Sequence, residues 1–226
     1  MKYVMSDIHG NFDKYIEMLN LINFTEEDEL YILGDIFDRG SNPLDILEHI
    51  MKHKNIHLIK GNHEQMYVEC YENEFRDLYG WFCNGGMKTF EQIINKGDFY
   101  MDTIYKYIKK LPYLIIVGEF ILVHAGLYLP SNLNELTLEE LLDLQEEDNC
   151  LWTRANIDKE KSFDYYTIIS GHNSTQSIEE DNNKIIHRDG HIYIDCGLQT
   201  SLKNGRLSCL RLDDMKEFYI DKYGEN

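Results

Sequence analysis

Short apolar runs alternate with amphipathic stretches through the first third of the chain. Residues 2–6 read as a short buried strand, and residues 11–22 place Phe12, Ile16, Leu19 and Ile22 on one helical face. The unit then repeats. Residues 29–33 form a second apolar run, and Pro43 opens a helix to residue 52 with Leu44, Leu47 and Ile50 on its inner side. Residues 56–59 form a third strand, followed by a helix from about His63. Strands and helices alternating at this spacing predict parallel βαβ pairing in an α/β domain. Residues 71–110 change to aromatic-rich helical sequence broken at Asn84-Gly-Gly86, which predicts a small helical cap inserted into one domain spanning 1–226. Beyond it, residues 114–117 and 120–123 predict a hairpin, and residues 137–147 an acidic helix capped by Thr137 with Glu140. Residues 166–170 predict a strand. Residues 184–187, 191–195, 206–212 and 217–220 predict an antiparallel meander, with a loose tail after it.

The chemistry sits where apolar runs stop. The first three runs exit into Ser6-Asp-Ile-His-Gly10, Gly34-Asp-Ile-Phe-Asp-Arg-Gly40 and Lys60-Gly-Asn-His-Glu64. Two later runs deliver His124 and Gly171-His172. Open α/β folds gather their sites at such strand ends. Asp35, Asp38 and Arg39 arrive within five residues, and buried together they would repel and desolvate one another unless a polyvalent group sat between them. The donors Asp7, His9, Asp35, Asn62, His124 and His172 mix carboxylate, imidazole and amide. That set suits two divalent ions, manganese first, with iron, zinc, cobalt or nickel able to take the same ligands. Asp35, on the middle loop, is the natural bridge in a pair that activates a water for attack. His63 is placed to protonate a leaving oxygen with Asp38 orienting it, and Arg39 and Arg154 to fork onto phosphoryl oxygens. Arg154 has a plainer reading, its stem packed on Trp152. Glu64 and Asp195 are candidates for orienting the ligands. His49, His53, His57, His187 and His191 read as ordinary packed or surface histidines.

Charge narrows the partners. Lysine plus arginine number 22 against 40 for aspartate plus glutamate, a net charge of −18. Such a surface repels a phosphate backbone, so no nucleic acid is expected as a partner. A phosphorylated substrate remains compatible, because ions and arginines set the local field in a cleft. The five cysteines are scattered without a CxxC pair, which argues against a zinc ribbon or a disulfide scaffold. No apolar run approaches a membrane span, and the first strand starts at Lys2 without room for a leader. A cytoplasmic protein is expected, and its oligomeric state is not legible.

Taken in order, Asp7-Ile-His-Gly10, Gly34-Asp-Ile-Phe-Asp-Arg-Gly40, Gly61-Asn-His-Glu64, His124-Ala-Gly126 and Gly171-His172 resemble the calcineurin-like metallophosphoesterases, within them the phosphoprotein phosphatase branch. The resemblance implies a four-layer α/β/β/α sandwich. It implies one metal on Asp7, His9 and Asp35 and a second on Asp35, Asn62, His124 and His172, with His63 and Asp38 as the acid pair and Arg39 and Arg154 on the phosphate. Gly171-His-Asn-Ser174 lacks the second histidine common in diester-cleaving relatives, which points to monoesters. The resulting expectation is a serine/threonine or dual-specificity protein phosphatase acting on a phosphorylated protein or a small phosphoester. The alternative is a bis(5'-nucleosyl)-tetraphosphatase, since such enzymes share the Gly-Asp-x-x-Asp-Arg-Gly loop. A non-catalytic scaffold of the same fold should have lost donors, and none is lost here.

Overall fold

The computed structural model describes residues 1–155, 162–163, 165–200 and 204–223. Its first sheet is built on three parallel strands, β1 (Lys2–Met5), β2 (Glu29–Ile32) and β3 (Ile56–Leu58). They are joined by α1 (Phe12–Leu21) and α2 (Pro43–Lys52), and β3 leads into α3 (Asn62–Glu72). Helix α2 carries its proline in the first turn, with Asp45 there and His49 and Lys52 in the last, which matches the helix dipole at both ends.

Three helices follow: α4 (Tyr79–Cys83), α5 (Met87–Lys96) and α6 (Asp98–Ile108). The hairpin β4 (Leu114–Val117) and β5 (Phe120–Val123) then opens the second sheet, and β6 (Thr167–Ser170) pairs parallel to β5. Between them lie α7 (Leu138–Asp143), with the Thr137–Glu140 capping box, and α8 (Glu147–Trp152). The helix predicted over 137–147 ends at Asp143, and α8 is a separate short helix that starts where the prediction stopped. A short α9 (Thr175–Ile178) follows β6.

The last four strands differ from the predicted meander. β7 (Ile186–Arg188) and β8 (His191–Tyr193) close the second sheet, with β8 parallel to β6. β9 (Arg206–Arg211) and β10 (Lys216–Asp221) cross to the first sheet, where β9 runs antiparallel to β1. Both hairpins were locally legible. What alternation cannot encode is which sheet each hairpin joins, because that is settled by a crossover between β8 and β9. The expected tail falls partly on residues 224–226, outside the described residues.

The sheet orders are β10-β9-β1-β2-β3 and β4-β5-β6-β8-β7. Alternating side chains divide the core. Tyr3, Met5, Leu30 and Ile32 face α1–α3, while Val4, Leu33 and Leu210 meet Leu122, Ile169 and Ile192 between the sheets. Ile121, Val123 and Ile168 pack outward on Leu127 and Cys150 of the segment that contains α8. These three apolar layers make the α/β/β/α sandwich expected. Residues 71–110 do not form a separate core: Trp81, Ile93, Ile104 and Ile108 join the same cluster as α1–α3. The insertion therefore extends one helical layer over the strand ends. Among the described residues, no helix is long and apolar enough to cross a membrane.

Candidate metal centre

The parallel strands β1, β2, β3, β5 and β6 all exit at one edge of the sandwich, and the exits of β1, β2 and β6 turn sharply. Asp7, His9, Asp35, Asp38, Arg39 and His172 have φ between 47° and 68°, a left-handed backbone that costs non-glycine residues on the order of 1–3 kcal/mol each. Such strain persists only where the surroundings hold it. Glu64, in the first turn of α3 and fully buried, does much of the holding: its Oε2 accepts from the backbone N–H of Asp35 (2.8 Å) and Gly61 (3.0 Å), and its Oε1 from Ile36 and Phe37 (both 3.1 Å). Close approach between loops explains two glycines. A Cβ at Gly34 would lie 2.5 Å from Gly61 Cα, and one at Gly171 would lie 2.2 Å from Asp7 Oδ2.

These turns bring the predicted donors around Asp35. His124 Nε2 lies 3.5 Å from Asp35 Oδ1, and His9 Nε2 lies 3.6 Å from Asp35 Oδ2 and 3.9 Å from Asp7 Oδ1. Asn62 Oδ1 sits 2.8 Å from His124 Nε2 and 3.1 Å from His172 Nδ1, and the His172 N–H donates to Asp7 Oδ2 at 3.0 Å. His9, Asp35 and His63, and separately Asp35, His124 and His172, offer donor atoms within 4.8 Å of one another. Asp35 belongs to both groups.

The tautomers bear on whether cations fit. His124 Nδ1 lies 2.6 Å from the Leu33 carbonyl and His9 Nδ1 lies 2.9 Å from the Phe37 carbonyl, and a carbonyl only accepts. Both rings therefore carry hydrogen on Nδ1 and turn a bare Nε2 lone pair inward. For His124 that lone pair faces the Asn62 oxygen, so two acceptors meet at 2.8 Å with no proton between them. On the other ring, the Arg39 guanidinium approaches His9 Nε2 (2.9 Å) as well as His63 Nε2 (3.0 Å), a cation facing the donor atoms. His172 Nε2 is buried with no hydrogen-bond partner among the described residues. The donor set fits divalent cations.

Electrostatics agree. Burial, then Asp7, then Glu64 push the Asp35 carboxyl well above its ordinary range, and burial with Asp7 does the same to Asp195. Burial pushes Glu64 up to about 7. Burial first, then the nearby arginines and the repulsion the imidazoles would exert on one another if charged, hold His9 and His63 well below 6.5 and His172 down at about 2. Without positive ions, burial here disfavours the charged forms of Asp35, Glu64, Asp195, His9, His63 and His172.

Asp38 is fully buried beside this group, and its Oδ2 lies 2.6 Å from His63 Nδ1. Its other partners come from the helical insertion. Trp81 Nε1 donates to Oδ2 at 2.8 Å, Thr89 Oγ1 donates to Oδ1 at 2.6 Å, and the Asp38 N–H donates to Thr89 Oγ1 at 3.0 Å. Sequence reasoning missed Trp81 and Thr89, because nothing in an aromatic-rich helical stretch marks a partner 43 or 51 residues away. Arg154 is exposed and lines a cavity of about 180 Å³ with Ala125 and Ser170, near enough that its charge acts on His124 and His172. Asn173 holds that segment beside the His172 loop by accepting from Ala155 N–H at 3.0 Å and donating to the Thr153 carbonyl at 3.1 Å.

Residues 3–197 match the family model for calcineurin-like phosphoesterase, and the chain belongs to that family. Membership implies a dinuclear divalent metal centre, and the donor groups around Asp35 fit one. Among curated proteins it is 26% identical over 147 residues to the symmetrical bis(5'-nucleosyl)-tetraphosphatase of Chromobacterium violaceum, covering 64% of this chain and 48% of that one. It is 30% identical over 142 residues to the enzyme of the same description from Wigglesworthia glossinidia brevipalpis, covering 59% and 47%. The chain thus spans about half the length of these relatives. Among solved structures, the fold matches that of a candidate diadenosine tetraphosphatase with a TM-score of 0.70 at 17% identity, over 99% of this chain and 94% of that one. It matches a Saccharomyces cerevisiae protein serine/threonine phosphatase with a TM-score of 0.62 at 16% identity, over 100% and 80%.

These relatives correct the expectation drawn from the motifs. The protein serine/threonine phosphatase reading is overturned by curated relatives that are tetraphosphatases. The metal loops are common to both kinds of enzyme, so the loops alone could not separate them.

Proposed function

We propose that the chain hydrolyses dinucleoside tetraphosphates, splitting the tetraphosphate symmetrically into two nucleoside diphosphates. The observation that carries this reading is the similarity to curated symmetrical tetraphosphatases, 26% and 30% identical over well over a hundred residues each. Water adds across one phosphoanhydride: a phosphorus–oxygen bond forms to the incoming oxygen, and the bridging bond breaks with its oxygen leaving on a nucleoside diphosphate.

Asp7, His9, Asp35, Asn62, His124 and His172 would hold two divalent ions, with Asp35 shared. Bound there, the ions acidify water and offset phosphate charge. The protein's own groups supply the rest. Asp38 fixes the His63 ring through Nδ1 and turns Nε2 toward the cleft, where it faces the Arg39 guanidinium. With Arg39 drawn onto a phosphoryl oxygen and phosphate charge beside it, the ring would take up a proton on Nε2 and pass it to the departing oxygen. Arg39, lying between His9 and His63, is placed to fork onto a phosphoryl oxygen, and Arg154 borders the same edge from the other side. A diphosphate leaving group is a weaker base than the alkoxide of a phosphoserine, so it asks less of His63.

The test is a side-by-side rate measurement with manganese-loaded chain on diadenosine tetraphosphate and a phosphoserine peptide, with products separated by anion exchange. ADP as the sole nucleotide product and a clear preference for the dinucleotide support the reading. ATP with AMP, or a preference for the peptide, overturns it.

A further inference from the structure

A cavity of about 400 Å³ opens beside the metal centre, between α3, α4 and the end of α8. Its apolar wall is Met66, Trp81 and Trp152, and its polar wall includes Glu69, Asp77 and Asn84. Three contacts tie it to the centre. The Trp152 indole stands edge-on to the His172 ring, with centroids 6.3 Å apart and planes at 85°. Trp81 donates to Asp38 through Nε1. The backbone carbonyl of Gly85, next to Asn84, accepts from the Arg39 N–H at 3.1 Å. The cavity therefore adjoins the side of the centre that holds His63, Asp38 and Arg39.

Its chemistry is unlike that of a phosphate site. Among the described residues lining it none is basic, and two are carboxylates, which would repel phosphate and accept from amines and hydroxyls. Trp152 is 39% exposed, far more than a core tryptophan and unlike Trp81 at 2%. An exposed indole face, an apolar floor and carboxylate and amide acceptors match a flat aromatic ring that bears an amine and is joined to a diol.

We propose that this cavity is a nucleoside subsite, in which Trp152 stacks on the purine base of one half of the dinucleotide and the acidic wall accepts from its exocyclic amine and ribose hydroxyls. The proposal rests on the tetraphosphatase reading for the identity of its ligand. It adds where that ligand is recognised and which residues select a nucleoside over a bare phosphoester. The phosphates then run from the cavity past Arg39 toward Asp35.

Gly80 provides the test. It lies on the cavity wall, and a Cβ built there meets nothing within 4 Å, so Gly80→Phe grows into the cavity without displacing the backbone. Steady-state kinetics of the full metal-loaded chain are measured on diadenosine tetraphosphate and on inorganic tetraphosphate, which has no nucleoside. In parallel, quenching of tryptophan fluorescence by adenosine is followed on the metal-free chain, where exposed Trp152 is the ring that adenosine reaches. The expected result is a fall of about tenfold or more in the ratio of kcat/KM for the dinucleotide to that for inorganic tetraphosphate, carried by KM, together with loss of adenosine quenching. Trp152→Leu should lower the same ratio, and it carries the test if circular dichroism shows Gly80→Phe unfolded. An equal fall on both substrates, or adenosine quenching that survives Gly80→Phe, overturns the subsite. Should neither polyphosphate be hydrolysed while adenosine still quenches and Gly80→Phe abolishes it, the subsite stands and the tetraphosphatase reading falls.

Discussion

Thr89→Val separates the role of the helical insertion from that of the metal loops. Valine keeps the shape of a fully buried side chain and removes only its hydroxyl. That hydroxyl donates to Asp38 Oδ1 and accepts from the Asp38 N–H. Losing the acceptor strands a buried N–H, at about 1–3 kcal/mol, which in a chain of this size lowers Tm by about 2–12 °C. Losing the donor acts on titration. Burial pushes the Asp38 carboxyl up to about 7, and the Thr89 hydroxyl opposes that by favouring the charged form. A hydrogen bond to a charged group is worth about 1.5–3 kcal/mol, so its removal raises the carboxyl by a further one to two pH units or so. The sign for stability follows from the raised value. The contribution of Asp38 is complete below the unfolded value near 3.9 and is lost as pH rises through about 7, and the variant extends that loss to higher pH. Scanning calorimetry should therefore find a Tm deficit larger at pH 8 than at pH 5. The acidic limb of the kcat/KM profile should move to higher pH, because a protonated Asp38 no longer fixes His63 for its role. A deficit independent of pH, with an unmoved acidic limb, would refute the coupling between the insertion and the acid pair.

Three further outcomes are expected. His63→Asn should slow hydrolysis of an alkyl phosphate at least tenfold more than that of diadenosine tetraphosphate, measured as kcat on each, because the poorer leaving group depends more on a proton donor. Manganese at about a hundred times its dissociation constant should stabilise the chain by about 2.7 kcal/mol per site, raising Tm by several degrees, and Asp35→Asn should abolish most of that rise in a thermal shift assay. Gly34→Ala should cost more than about 2 kcal/mol in urea unfolding, because its Cβ would sit 2.5 Å from Gly61 Cα on a backbone with φ of 82°.

The parts of the site legible in the sequence were those written locally. Asp7, His9, Asp35, Asn62, His124 and His172 each follow an apolar run, and their parallel strands force them to one edge. For Asp7, His9, Asp35 and Asn62 convergence follows from the βαβ rule, while His124 and His172 reach the same edge because the second sheet packs on the first. Glu64 was half legible: its place beside Asn62 and His63 marked it as a group able to orient ligands, while its reach to the backbone of Asp35, Ile36 and Phe37 was not written locally. Trp81 and Thr89 were opaque, because they act through a helical packing that no short spacing records. The same holds for the division of β7–β10 between two sheets, where hairpin signals are local and sheet membership is not. Substrate choice was opaque for a related reason. Two activities share one set of metal loops, and what distinguishes them lies in the walls around the loops, assembled from α3, α4 and α8 far apart in sequence.

The central claim is that six side chains from five strand exits hold two cations around one shared carboxylate. Its most direct test is an anomalous difference map from a crystal of the chain soaked in manganese. Two peaks on either side of Asp35, one beside Asp7 and His9 and the other beside Asn62, His124 and His172, are the predicted result. A single peak, or manganese bound elsewhere with these donors vacant, would contradict it.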